Sequence, residues 1–298
     1  KINSVFQYLC QNFILMMTTF LDMDPEYAEL NRSKYVLLPV PYDKTSTFQK
    51  GADKGPQAIL DASDSIELYD VVTDNEAYTA GIHTDHYDYC FETPEKMVQS
   101  VYDRVKHFLN MKKVVGVLGG EHSVSVGAIK AFSEKYHQLS VLQIDAHADL
   151  RDEYHDSPYN HACVMRRAQE YAHVVQVGIR SVCSEEREAI VPENMFYAHQ
   201  IRKNPNWVDD VINRLSDYVY LTIDLDGIDA SVVPATGTPL PGGLTWYELN
   251  DLLEKLFTHK KVVGFDVVEL CPHDHDKSSD VLAAVLVYRI ISWLEKIK

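Results

Sequence analysis

The chain has 298 residues, 46% of them apolar, which is enough to bury a large core in one α/β domain or in two smaller ones. Its 28 Lys and Arg against 44 Asp and Glu leave a net charge of −16, which repels polyphosphate, argues against a nucleic-acid partner and favours small cations or metal ions. Five widely spaced cysteines (Cys10, Cys90, Cys163, Cys183, Cys271) form no CxxC pair, so no disulfide framework or zinc finger is expected and a reducing cytoplasm fits.

In residues 1–16, Gln7, Gln11 and Asn12 interrupt a mildly apolar run and no small-residue cleavage site follows, which argues against a signal peptide. This stretch reads either as an extension ahead of the domain or as an amphipathic N-terminal helix, with residues 17–298 as one domain. No run approaches the roughly eighteen apolar residues of a membrane span, so no membrane is expected. From residue 35, short apolar runs alternate with helical patterns, the mark of a parallel sheet covered on both faces. Strands are expected at Tyr35–Val40, Val114–Leu118, Ser140–Ile144, Val174–Ile179, Tyr218–Ile223 and Val262–Val268. Helices are expected at Gly55–Tyr69, Pro94–Leu109, Val124–Tyr136, Tyr159–Ala172, Pro205–Leu215, Trp246–Phe257 and Ser279–Ile297, with a hairpin or loop over 70–92.

Ligands of open parallel sheets bind beyond the carboxyl ends of the strands. Four such exits carry chemistry: Gly119-Gly120-Glu121-His122-Ser123, Asp145-Ala146-His147-Ala148-Asp149, Asp224-Leu225-Asp226-Gly227-Ile228-Asp229 and Asp266-Val267-Val268-Glu269. In extended chain alternate side chains share a face, so Asp145, His147 and Asp149 form one row and Asp224 and Asp226 a second. His122 arrives after two glycines, giving four carboxylates and two imidazoles. Carboxylates left unpaired side by side repel one another and lose hydration, which two divalent cations would offset. A carboxylate-rich set without cysteine suits Mn²⁺ better than Zn²⁺.

The motifs GGEHS, DAHAD and DLDGIDAS, with Thr236-Gly237-Thr238-Pro239 and Pro241-Gly242-Gly243-Leu244-Thr245, resemble those of the ureohydrolases, the binuclear-manganese family of arginase and agmatinase. The likeness runs from about Val36 to the C-terminus and takes in Pro41-Tyr42-Asp43 and Gly51 to Gly55-Pro56. It implies a three-layer α/β/α fold with an eight-stranded parallel sheet and two Mn²⁺ per subunit. One manganese would be held by His122, Asp145, Asp149 and Asp224, the other by Asp145, His147, Asp224 and Asp226, with Asp145 and Asp224 bridging. Asp229 reads as a support for this set or as a turn residue.

The resemblance also implies that a hydroxide bridging the metals attacks the guanidino carbon, with Asp149 orienting it. His161 matches the family's proton-shuttle histidine, a role that needs a group titrating near pH 7, and Glu269 the glutamate that receives the guanidinium; the alternative for Glu269 is an ion pair with Arg180 or another internal cation. His155 reads as a surface histidine. The loop Leu150–Tyr159 departs from the arginase pattern, and its Asp152, Glu153 and Asp156 favour a substrate with a second cationic end. Agmatine, cleaved to putrescine and urea, is therefore the expected substrate. Aminopropylagmatine, guanidinobutyrate and arginine stay open, as do another C–N hydrolase and a non-catalytic paralogue. Cys183 stands where arginases carry an Asp, so Glu185 or Glu186 is expected to hold the substrate's far end. Ala162 replaces a glycine, Arg166 and Arg167 are expected to face solvent or other subunits, and Cys271 to Asp276 reads as a polar loop or accessory cation site. The family's trimers or hexamers make a homo-oligomer the expected assembly.

Overall fold

The computed structural model describes residues 18–296, so the two readings of residues 1–16 lie outside the described residues. Strands β1 (Tyr35–Val40), β2 (Ile82–Thr84), β3 (Val114–Gly119), β4 (Ser140–Ile144), β5 (His173–Ile179), β6 (Met195–Tyr197), β7 (Tyr218–Asp224) and β8 (Lys261–Val268) form one sheet in the order β2-β1-β3-β8-β7-β4-β5-β6. Every pairing is parallel. The strands read as apolar runs because both faces are covered.

Alternation along the strands splits the core in two. Tyr35, Leu37, Leu142, Ile144, Leu221 and Ile223 face α1 (Gly55–Ser63), α5 (Trp207–Arg214), α6 (Trp246–His259) and α7 (Ser278–Lys296). Val36, Leu38, Val40, Val141 and Tyr220 face α2 (Pro94–Asn110), α3 (Ser125–Lys135) and α4 (Val164–Ala168). The expected three-layer α/β/α architecture results. Phe132 of α3 lies 4.9 Å, ring to ring, from Tyr220 of β7, and truncating so buried a ring to alanine costs about 3–5 kcal/mol. Local signals agree with the packing: Thr93 accepts from the Lys96 N–H ahead of Pro94 to start α2, and Thr245 with Glu248 forms a capping box on α6. No helix among the described residues is long and apolar enough to cross a membrane.

Several expected boundaries shift. The helix expected over Gly55–Tyr69 stops at Ser63, where Ser63 and Ser65 hydroxyls donate to the Leu60 and Ala62 carbonyls and compete with the helical ladder. The expected loop over 70–92 contains edge strand β2, and the opposite edge strand β6 was not expected. Each has three residues, too few for a periodic pattern. The helix expected from Tyr159 begins only at Val164, after a 3₁₀ turn at His161–Cys163 that Asn160 caps by accepting from the Ala162 N–H.

Strand order does the decisive work. The chain runs from β3 to β4 across a gap later filled by β8 and β7, so the exits of β3, β8, β7 and β4 lie side by side at one end of the sheet.

Candidate metal centre and active site

Backbone contacts bring those exits closer than side chains alone would allow. A Cβ on Gly120 would lie 2.1 Å from the Tyr42 carbonyl oxygen, and one on Gly227 2.6 Å from the Asp145 nitrogen. Only glycine lets the β3 exit run along the β1 exit, and the β7 exit along β4. Asp149 has a left-handed backbone (φ 52°), so the β4 exit is no plain extended row; the twist brings Asp149 to His122.

His122 Nδ1 lies 3.1 Å from Asp145 Oδ2, 3.2 Å from Asp149 Oδ2 and 3.4 Å from Asp224 Oδ2. His147 Nδ1 lies 3.0 Å from Asp226 Oδ2 and 3.6 Å from Asp145 Oδ1. His122, Asp145 and Asp149 form one potential ligand group and Asp145, His147 and Asp226 a second, so the two share Asp145. Asp224 joins the first through Oδ2, while its Oδ1 accepts from the Asp226 N–H at 2.9 Å. All six expected ligands therefore converge.

The supports explain the neighbouring motifs. Thr222 Oγ1 donates to Asp266 Oδ1 at 2.6 Å and so accepts from His122 Nε2–H at 2.9 Å, which fixes the tautomer. In that tautomer the buried His122 Nδ1 faces three carboxylates and, among the described residues, no donor it could accept from. A lone pair in that setting calls for a cation. Together with the oxygen-rich donor set, this orphaned atom fits a divalent metal pair. Thr238 donates to Asp226 Oδ2 at 2.9 Å, which accounts for the TGTP segment. Asp229 accepts from the Gly242 and Gly243 N–H groups and from Ser231, so it is a turn residue.

Electrostatics follow the same geometry. Burial opposes charge on His147, yet Asp145 and Asp226 outweigh it and push the imidazole up to about 12. His122 rises likewise through its three carboxylates against the pull of burial. Burial and the Asp145 charge push Asp149 up to about 7. Burial, then Asp226 and Asp145, raise Asp224, whereas His122 and His147 overcome burial to hold Asp145 below the usual carboxylate range. Without metals the centre retains protons where cations would otherwise sit.

A family model described as the arginase family matches residues 33–292. The chain belongs to the arginase family. It is 37% identical over 269 residues to the N(1)-aminopropylagmatine ureohydrolase of Synechocystis sp., covering 87% of this chain and 88% of that protein. It is 33% identical to the agmatinase of Pyrococcus horikoshii, covering 91% and 95%. The agmatine ureohydrolase structure of Thermoplasma volcanium matches with a TM-score of 0.79 at 30% identity, over 96% of this chain and 98% of that one. The chain is thus an arginase-family ureohydrolase, a hydrolase of guanidino C–N bonds, in a binuclear-metal family.

In this ureohydrolase a cavity of about 250 Å³ opens beside the metal centre, with His147, Asp149, His161, Thr47, Thr238 and Glu186 in its wall. Glu269, buried and left-handed (φ 66°), accepts from the His122 N–H at 2.8 Å through Oε1, which lies 3.9 Å from His161 Nδ1. Arg180 is not its partner. The guanidinium instead donates to the carbonyls of Gly178, Asp226, Gly227, Leu240 and Pro241, stapling the loop before the double glycine to the β7 exit. His161 Nε2 lies 3.2 Å from Thr47 Oγ1, and burial, then the His147 and His122 charges, lower its pKa to about 4. A shuttle titrating near neutrality was expected, and burial carries the imidazole below that.

The expected far-end residues divide. Glu186 is buried, accepting from the Leu150 N–H at 2.8 Å and the Cys183 N–H at 2.6 Å, and it lines the cavity. Glu185 is exposed and pairs with Arg151 at 2.9 Å. Asp152, Glu153 and Asp156 are exposed and outside the cavity wall, so the argument that they face a cationic substrate end fails. Asp152 pairs with Arg167 at 2.5 Å and with Arg166 at 3.6 Å, so Arg167, expected at the surface, is largely buried in an ion pair. His155 is exposed, and His273 to Asp276 form an exposed loop with no metal-ligand group among the described residues. Thr47 and Thr45, which reach His161 from the β1 exit, carried no motif that could have marked them beforehand.

Proposed function

We propose that this chain is a binuclear-manganese enzyme that releases urea from a cationic guanidino amine, with N(1)-aminopropylagmatine as the first substrate and agmatine as the second. The carrying observation is the pair of His/carboxylate clusters sharing Asp145, with Glu269 and His161 at their rim. The names of the Synechocystis and Pyrococcus relatives supply the two substrates. Manganese follows from the carboxylate-rich, thiolate-free donor set. His122, Asp145, Asp149 and Asp224 would hold one ion, and Asp145, His147, Asp224 and Asp226 the other. A soluble homo-oligomer, a trimer or hexamer in the cytoplasm, completes the reading.

A guanidinium keeps its proton to a pKa above about 12, so its carbon is a poor electrophile and the leaving amine must be protonated. Two divalent cations supply, when bound, a water acidified toward neutrality and positive charge facing the tetrahedral stage. Glu269 receives the guanidinium: burial, then the Glu121 charge, holds its carboxyl well above the ordinary range, and a cation drawn against it favours the ionised form. His161 takes the proton that the attacking water gives up and returns it to the departing nitrogen from Nδ1, the ring atom facing Glu269, while Thr47 holds Nε2. Glu186 sets the negative wall toward which the amine end extends.

The test is urea release by Mn²⁺-loaded protein from N(1)-aminopropylagmatine, agmatine, guanidinobutyrate and arginine, each with and without chelator. Chelator-sensitive release from the two cationic amines ahead of the other two is expected. Faster turnover of arginine or guanidinobutyrate would overturn the far-end assignment, and release of urea from none of the four would overturn the substrate class.

A further inference from the structure

Glu121 of the GGEHS motif is fully buried, no cation pairs with it among the described residues, and its carboxyl accepts chiefly from Thr45, 76 residues away. Oε2 accepts from the Thr45 N–H at 2.6 Å, while the Ser46 hydroxyl, 3.3 Å away, spends its one proton on Asp43 Oδ1. Oε1 accepts from the Ser123 hydroxyl at 2.6 Å and the Thr45 hydroxyl. Three donors, the Thr45 N–H and the Thr45 and Ser123 hydroxyls, thus converge on the carboxyl. Since the Thr45 hydroxyl donates to Glu121, its oxygen is free to accept, and it takes the His161 N–H at 2.9 Å. Two residues on, Thr47 Oγ1 meets His161 Nε2. The β1 exit thus grips both backbone and ring of a histidine 116 residues away, and Glu121 anchors that grip.

We propose that Glu121, acting through Thr45, is a positioning residue that sets His161 relative to Glu269; the activity arm of its test rests on the ureohydrolase reading above. Without the tie, the turn at His161–Cys163 keeps its Asn160 cap but loses its dock on the β1 exit. The histidine ring then samples positions away from the cavity. An ångström of displacement in a reacting group lowers turnover about a hundredfold.

The test uses Thr45→Val, which keeps shape and the N–H to Glu121 but removes the hydroxyl, with Thr45→Ser as the conservative restoration and Glu121→Gln as the anchor variant. Hydrogen exchange in the peptide covering residues 157–163 should quicken about fivefold in Thr45→Val, the effect of losing one hydrogen bond, and return toward parent in Thr45→Ser. With metals bound, kcat should fall about ten- to hundredfold at nearly unchanged KM. That loss should vanish on a His161→Ala background, because a residue acting through His161 has nothing left to position. Unchanged exchange in Thr45→Val, or an equal kcat loss with and without His161, overturns the proposal. If the parent releases no urea, the ureohydrolase substrate reading has failed, and the exchange measurement alone decides the positioning role.

Discussion

Asp145 touches both ligand groups, through Oδ2 to His122 and Oδ1 to His147, whereas Asp149 touches only His122. This asymmetry predicts how metal binding stabilises each variant. An ion bound only by the folded state adds about 2.7 kcal/mol at a concentration one hundred times its Kd, so two independent ions add about twice that. For a domain of this size each kcal/mol raises Tm by about 2–4 °C, giving a metal-dependent rise of about 10–20 °C in the parent. Asp145→Asn should abolish nearly all of that rise, and Asp149→Asn about half. The metal-free variant is itself weakened, because Asp145 accepts from Gln143 Nε2 and the His147 N–H, each at 2.6 Å, and an amide would set a donor against one of them. Comparing each variant with and without Mn²⁺ after chelator treatment removes this background. The assay is thermal unfolding followed by near-ultraviolet circular dichroism across a Mn²⁺ titration. A full two-ion rise in Asp145→Asn would refute the shared-ligand geometry, and an equal loss in both variants would refute the asymmetry between the two groups.

Three further outcomes follow from the same contacts. His161→Ala should lower kcat for urea release by about a hundredfold or more while leaving the metal-dependent Tm rise intact, and parent-like turnover would remove it from proton transfer. In Glu269→Gln the Oε1 acceptor for His122 persists but the charge is gone, so kcat/KM for cationic guanidines should fall about tenfold or more by initial-rate kinetics, with metal content by mass spectrometry unchanged; undiminished kcat/KM would free the guanidinium from Glu269. Arg180→Ala strips donors from five carbonyls and should destabilise the metal-free fold by about 2–4 kcal/mol in urea denaturation, whereas a midpoint equal to the parent's would show the staple to be dispensable.

The sequence by itself determined the central strands, the carboxylate- and histidine-bearing exits after them and the family. Buried parallel strands are written as contiguous apolar runs, and a strand exit places its polar residues within a few positions of the last apolar one, so local patterning reaches that far. Three-residue edge strands such as β2 and β6 carry too little pattern to be read. Only the tertiary structure decided which exits touch. Inserting β8 and β7 between β3 and β4 makes His122, Glu269, Asp224 and Asp145 neighbours, although their separation along the chain reaches 147 residues in the His122 to Glu269 contact. The same holds for the loop after β4, where acidic composition suggested a surface for a cationic substrate end and folding turned Asp152 outward to Arg167 while Glu186 went to the cavity. Charge counts are additive along a sequence, but the field a ligand meets depends on which carboxylates are desolvated and which are already paired, and packing alone settles that.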